Sequence, residues 1–296
     1  MAATLANVSL DDKYSQESGR VLISGNQALV RMALMQHERD RAAGLNTAGF
    51  ITGYRGSPLG GYDFALWQSN DRLKAANILF RSGVNEDLAA TAVWGTQQSS
   101  LLPAPKYDGV FSVWYGKGPG VDRSGDALKH GNRQGAAKHG GVLVLAGDDH
   151  AGKSSTVSHQ SEQALAASFI PTLFPASVEE IIEYGLLGWA MSRFTGLWIG
   201  LKVINETVEA TTTVDIDPES VRITLPEVAM PETGLNINPR PMIVREMDEM
   251  LTTRFRIPAA LAFARANRID RSVFESPQRR LGIVASGKGY VDAQQA

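Results

Sequence analysis

The run Gly-Val-Leu-Val-Leu-Ala at 141–146 carries no polar side chain, so it lacks the alternation of a strand with one wet face. A strand of this kind belongs in a sheet covered on both sides. Further strand-like runs at 47–54, 77–81, 109–115, 171–174 and 197–203 are mostly bounded by Gly, Pro or Asp. Helical stretches lie between them. The clearest spans 177–194, where Ser177 suits an N-cap and Glu179 and Glu180 place charge in the first turn, favoured by the helix dipole. Another starts at Ser24, with Ala28, Leu29, Met32, Leu34 and Met35 on one stripe and a stop at Gly44. Strands and helices in alternation predict an α/β fold with a doubly wound, mainly parallel sheet. In such sheets ligands gather at the carboxyl ends of the strands, so the loops that follow the strands are where chemistry is sought.

Around this core, residues 1–20 read as a polar lead-in. Residues 21–210 hold the α/β pattern, and 211–277 lose it: Thr211, Thr212 and Thr213 and then Pro226, Pro231, Pro239, Pro241 and Pro258 suggest a connecting segment, with one helix near 247–254 or 259–266. The last run, 280–289, has the look of the first strand and turn of a second α/β domain over 278–296 that is cut short at Ala296.

Composition removes several function classes. A net charge of −2 leaves no basic stripe for nucleic acid. No apolar run reaches the roughly 18–20 residues of a membrane span, and the N-terminus lacks the apolar stretch of a signal peptide, so the expected location is the cytoplasm. With no cysteine, the chain can hold neither a thiolate-bound zinc nor a cysteine-ligated iron–sulfur cluster. Its five histidines lack metal-site spacing, and no metal ligand is expected.

Three loops remain as candidates for chemistry. Gly53-Tyr54-Arg55-Gly56-Ser57-Pro58-Leu59-Gly60-Gly61-Tyr62 packs four glycines around one proline, a form that lets backbone approach a ligand closely or that merely makes a βα turn; Arg55 is the part a turn does not require. In Arg81-Ser82-Gly83-Val84-Asn85-Glu86-Asp87-Leu88, Glu86 and Asp87 stand at a helix start, where both could simply complement the dipole. A functional reading needs one carboxylate held in an apolar site. Gly147-Asp148-Asp149-His150-Ala151-Gly152-Lys153-Ser154 fits the phosphate-binding pattern G-x-x-x-x-G-K-[ST] letter for letter. Asp148 and Asp149 would repel phosphate inside that loop, and Ser154-Ser155-Thr156-Val157 is a poor helix start where such a loop needs a helix N-terminus. Gly116-Lys117-Gly118-Pro119-Gly120-Val121 fails the dinucleotide fingerprint at Val121.

Taken together, these loops resemble the pyrimidine-binding domain of the 2-oxoacid:ferredoxin oxidoreductases, most closely the long fused indolepyruvate ferredoxin oxidoreductases of bacteria. Tyr54-Arg55-Gly56-Ser57-Pro58 is similar to the family's Gly-Tyr-Pro-Gly-Thr-Pro-Ser turn, and Asn85-Glu86 with its Ala-rich helix is similar to Asn-Glu-x-x-Ala. Asp148 and Asp149 with Ser154, Ser155 and Glu162 resemble the family's acidic, serine-containing stretch, and 281–287 resembles the start of its second domain. The resemblance implies a sheet of the thiamine diphosphate pyrimidine-binding type and a catalytic role for Glu86, whose carboxyl group would hydrogen-bond an aminopyrimidine nitrogen and so help remove the thiazolium proton. It further implies cofactor contacts from Tyr54, Arg55, Gly56, Ser57, Pro58 and Asn85, and a substrate or interface loop at Asp148, Asp149, His150, Ser154 and Ser155. A 2-oxoacid, indolepyruvate-like, would be decarboxylated, coenzyme A would take the acyl group and ferredoxin the electrons, in a homo-oligomer. Arg55, Ser57, His150 and Lys153 depart from the family's letters. No Gly-Asp-Gly occurs, so magnesium and diphosphate would be held by an absent domain and the four-iron, four-sulfur clusters would lie elsewhere in the enzyme. The rival readings are a P-loop NTPase acting through 147–154 and a non-catalytic α/β ligand-binding module.

Overall fold

The structure, a computed structural model, describes residues 8–153, 157–217, 219–238 and 245–296. Six parallel strands form the central sheet in the order β3-β2-β4-β5-β7-β6: β2 (Thr47–Gly53), β3 (Ile78–Ser82), β4 (Gly109–Lys117), β5 (Val142–Asp148), β6 (Thr172–Leu173) and β7 (Ile199–Ile204). Each falls on a run marked out by the sequence, and the fold is α/β, doubly wound and parallel in this sheet. Successive side chains of a strand point to opposite faces, so the apolar runs feed two cores. Ile51, Val113, Leu143, Leu145 and Leu201 pack with the helices Gly25–Ala42, Gly60–Gln68 and Val178–Thr195 on one face. Trp114, Val142, Val144 and Trp198 meet the helices Glu86–Gln97, Gly118–Arg123 and Gly125–Gln134 on the other.

Local signals set the helix starts. Ser24 accepts from the backbone N–H of Gln27 while the Gln27 side chain returns to the Ser24 N–H, a capping box. Ser177 accepts from the Glu180 N–H at 3.1 Å, and Gly196 ends the same helix in the left-handed conformation. The two long helices of the first face are joined to the sheet by a fork: Arg193 holds Asp40 through both guanidinium nitrogens, at 2.6 and 2.8 Å, and Thr47 donates to the same carboxylate.

Two strands lie outside this sheet. β1 (Gly19–Ser24) and β8 (Thr211–Ile216) pair antiparallel, from Gly19 opposite Ile216 to Ser24 opposite Thr211, so the ends of the polar lead-in and the start of the connecting segment are strand rather than loop. Further on, Arg245–Leu251, a π-helical turn Thr252–Arg256 and the helix Ile257–Ala266 run on from one another, where one helix was expected. Arg256, fully buried, donates to the carbonyls of Leu235, Arg133 and Gln134; it satisfies the C-terminus of Gly125–Gln134 and pins the connecting segment to the second core. Pro239 and Pro241 lie outside the described residues. The strand expected within 280–289 does not form: 281–286 has no pairing partner among the described residues, Leu281, Ile283 and Val284 are exposed, and a helix, Gly287–Gln295, follows. Without a neighbouring strand its backbone groups have no ladder to join. Among the described residues no helix is long and apolar enough to cross a membrane.

Candidate functional site

The strand order reverses between β2 and β4. From β2 the chain turns through Gly60–Gln68 toward β3, and from β4 it turns through Gly118–Arg123 and Gly125–Gln134, on the opposite face, toward β5. Connections that part in opposite directions leave a crevice at the carboxyl ends of those strands. The loop after β3 closes its side: the Gly83 N–H donates to the Gly53 carbonyl at 2.7 Å and the Tyr54 N–H to the Tyr115 carbonyl at 3.1 Å.

Glu86 stands at this crevice, 8% exposed, as the first residue of the Glu86–Gln97 helix. Asn85 is the N-cap, its side-chain oxygen accepting from the Leu88 N–H at 2.8 Å, so the structure uses this residue first to start the helix. The Trp114 indole N–H, from the middle of β4, donates to the Glu86 carbonyl at 2.9 Å. The acidic side chain lies against Gly120 and Gly116: a Cβ on Gly120 would stand 2.7 Å from its Cγ, and one on Gly116 3.4 Å away. No hydrogen bond reaches the Glu86 carboxylate among the described residues. Asp87 is only partly buried.

The 54–58 loop borders the same crevice. Tyr54 and Arg55 are exposed, Gly56 and Ser57 partly buried, and Pro58 turns inward with Leu59 over Gly147, where a Cβ would meet both. Gly56 gives room to the Lys117 side chain, 3.1 Å from where a Cβ would be. Lys117 is half-buried at the end of β4 and makes no hydrogen bond or ion pair among the described residues; the same holds for Arg55. Lys117 lies in the loop that fails the dinucleotide fingerprint, and no motif of the sequence marks it. Its signal was a lysine between two glycines directly after a buried strand.

Beneath the crevice, the Tyr115 hydroxyl donates to Asp63 at 2.5 Å, with the Tyr62 ring packed edge-on 5.3 Å away. Burial first, and then the Asp63 carboxylate, push the Tyr115 hydroxyl far above its ordinary value. It stays protonated and fixes the end of β4.

One strand further on, the acidic loop has a different use. Asp148 is 0% exposed and accepts from the Ser161 N–H at 2.8 Å and the Ser161 hydroxyl at 2.6 Å. The Lys202 ammonium, 1% exposed, stands 3.2 Å from it, bonds Glu162 as well and lies over the Phe174 ring. Asp149 accepts from the Lys153 N–H at 2.9 Å, shaping its own loop. His150 is exposed and lines a cavity of about 190 Å³ with Asp148, Asp149, Asn205 and Glu206. Ser154 and Ser155 lie outside the described residues. Ligand atoms of Asp148, His150 and Glu162 lie within 4.8 Å of one another, close enough for a cation, but Lys202 already supplies positive charge to both carboxylates. Nor does the loop cradle phosphate: Lys153 points to Glu209, 3.4 Å away, and the next helix begins only at Glu162.

A residue of this loop that the sequence left unassigned, His159, reaches the crevice wall. Its ring fills the space a Cβ on Gly118 would take, and its Nε2–H donates to Asp122 at 2.9 Å.

No protein-family model matches the sequence, and no curated protein matches it. Among solved structures the chain is similar to a 2-oxoglutarate:ferredoxin oxidoreductase from Magnetococcus marinus, with 2-oxoglutarate, coenzyme A and succinyl-CoA bound, at a TM-score of 0.57 and 14% identity over 82% of this chain. At that identity the likeness is one of fold. The chain matches 45% of that neighbour's length.

Proposed function

We propose that the chain is the pyrimidine-binding part of a thiamine diphosphate-dependent 2-oxoacid:ferredoxin oxidoreductase of the indolepyruvate type. The observation that carries this reading is Glu86, a nearly buried carboxylate at the point where the strand order reverses, with no hydrogen-bond partner among the described residues. A nearly buried carboxylate whose oxygens no protein group engages among the described residues is open to a ligand, and an aminopyrimidine ring offers a hydrogen-bonding partner of the right kind. Bound there, thiamine diphosphate would supply the nucleophilic carbon that attacks a 2-oxoacid and stabilises the charge left when carbon dioxide departs. Glu86 would hold or release a proton at a ring nitrogen. Tyr54, Gly56, Ser57 and Pro58 would border the ring, while Lys117 and Arg55, cations without an ion pair among the described residues, would draw in the substrate carboxylate. The fold likeness supports the same class of enzyme.

The remainder of the reading follows from the resemblance. Another domain would hold magnesium and the diphosphate. The iron–sulfur clusters, for which this chain has no cysteine, would lie elsewhere, and coenzyme A, ferredoxin and a second copy would complete a cytoplasmic enzyme acting on an aryl 2-oxoacid.

The test is the assembled enzyme supplied with thiamine diphosphate, coenzyme A and ferredoxin. Oxidation of indolepyruvate or phenylpyruvate ahead of 2-oxoglutarate is the expected result. Preference for 2-oxoglutarate would overturn the substrate assignment, and activity without thiamine diphosphate would overturn the whole. Calorimetry with magnesium–ATP should give no heat beyond dilution; binding lost in Lys153→Ala would favour the NTPase reading instead.

A further inference from the structure

We propose that His159 is a positioning residue for Glu86, acting through the short helix Gly118–Arg123; the proposal rests on the catalytic reading of Glu86 given above. On its acidic side Glu86 lies against Gly116 of β4 and, more closely, against Gly120, which belongs to this helix. A helix of so few residues is not stable by its own hydrogen bonds, so its position is set by what packs on it. Val121 anchors it inward, in the second core. On its other side the side chain nearest its first residue is His159, whose ring lies where Gly118 has no Cβ.

The same ring holds the far end of the helix. Its Nε2–H donates to the Asp122 carboxylate at 2.9 Å, so one imidazole grips Gly118 and Asp122 at once, on either side of Gly120. The residue is held by burial, with a side chain 19% exposed, and by its backbone N–H donating to the Asp149 carbonyl at 3.3 Å; Nδ1 lies 3.9 Å from Asp148, beyond hydrogen-bond distance. Asp148 in turn is locked by Ser161 and Lys202. A rigid anchor at the end of β5 thus reaches across to the wall that places Glu86. This gives the buried ion pair of the acidic loop a use in the neighbouring crevice without contact between that pair and any ligand.

The experiment compares His159→Ala, which removes both contacts, with His159→Gln, whose amide nitrogen can still donate to Asp122. In this chain labelled with 13C-carboxyl glutamate, the Glu86 resonance should move in His159→Ala and return toward its original position in His159→Gln. In the assembled enzyme, hydrogen–deuterium exchange at the thiazolium carbon and kcat should fall about tenfold or more in His159→Ala, with KM for the 2-oxoacid little changed, since small misplacements of a reacting group are costly. Asp122→Ala, at an exposed position that leaves the ring on Gly118, should shift Glu86 in the same direction by less, and it decides the question should His159→Ala not fold. A folded His159→Ala with an unmoved Glu86 resonance, or a His159→Gln as impaired as the alanine variant, would overturn the proposal. A moved resonance in an enzyme whose wild type shows no thiamine-dependent exchange would keep the positioning role and remove the catalytic one.

Discussion

Gly120 and Glu86 fit each other by the absence of one carbon: a Cβ on Gly120 would stand 2.7 Å from Cγ of Glu86 and 2.8 Å from its Oε1. Neither side has slack, because Glu86 is tied to β4 through its own carbonyl and the Trp114 indole, and Val121 beside Gly120 is buried. Gly120→Ala must therefore turn the acidic side chain out of its place or push the helix away. Overpacking of this kind costs roughly 1–3 kcal/mol. The expected outcome is a small loss in urea midpoint together with a much larger loss of thiazolium exchange in the assembled enzyme; equal losses in both would mean that Gly120 serves the fold alone.

Lys202 carries the charge balance of the acidic loop. With Asp148 at 0% exposure and Lys202 at 1%, neither charge can turn to water. Lys202→Met leaves the Asp148 carboxylate buried beside Glu162, with Ser161 as its remaining hydrogen-bond donor among the described residues, a change that costs about 3–5 kcal/mol where one partner of a buried pair is removed. Adding Asp148→Asn should recover part of the loss, because the stranded charge is then gone. Urea unfolding of the two single variants and the double variant measures this coupling. Strict additivity would show that the pair does not interact as the distance implies.

Glu162 gives the same cluster a pH dependence. Burial pushes its carboxyl group up, but the hydrogen bond from Lys202, a backbone hydrogen bond, and the charges of Lys202 and His150 outweigh burial and hold it below its ordinary value. A folded-state value lower than the unfolded one adds stability at pH above the ordinary carboxylate range, and that stability is lost as pH falls through the folded value. The gap in urea midpoint between the wild type and Glu162→Gln should therefore be widest near neutral pH and close progressively as pH falls through and below the ordinary carboxylate range. A gap that widens on acidification would reverse the sign of the argument.

The central sheet could be read from the sequence because its strands are apolar on both faces, a pattern that survives without any knowledge of neighbours. β1 and β8 could not. Their inward positions are only Val21 and Ile23 on one strand and Val214 and Ile216 on the other, and three threonines and Asp215 fill the rest of β8, so two short alternations far apart in the chain had to find each other. The run at 281–285 erred in the opposite way, apolar enough for a strand but with no neighbour to pair with. At the site, the helix start at Glu86 was legible from the acidic pair Glu86 and Asp87, which suits a first turn, whereas the cap at Asn85 was not. Lys117, Gly120 and His159 were not, since each owes its place to a contact between loops of different strands.

The choice between Glu86 and Asp87 shows what the structure adds. Both fall in the first turn of one helix, and adjacent positions point about 100° apart on a helix of ~3.6 residues per turn, so only one can face the crevice. Contact with Gly116 and Gly120 puts Glu86 there, while Asp87 is less buried and its carbonyl accepts from the Thr91 hydroxyl. Glu86→Gln keeps the shape and one acceptor oxygen but cannot exchange a proton with a ring nitrogen. Thiazolium exchange in the assembled enzyme should then slow by roughly two to four powers of ten, the usual worth of a positioned acid–base group. Asp87→Asn removes only a favourable charge at the helix start, a change of about 1 kcal/mol or less in stability, with exchange close to normal. A near-normal Glu86→Gln, or a larger defect in Asp87→Asn, would move the catalytic assignment off Glu86 and take with it the reading of the crevice as a pyrimidine site.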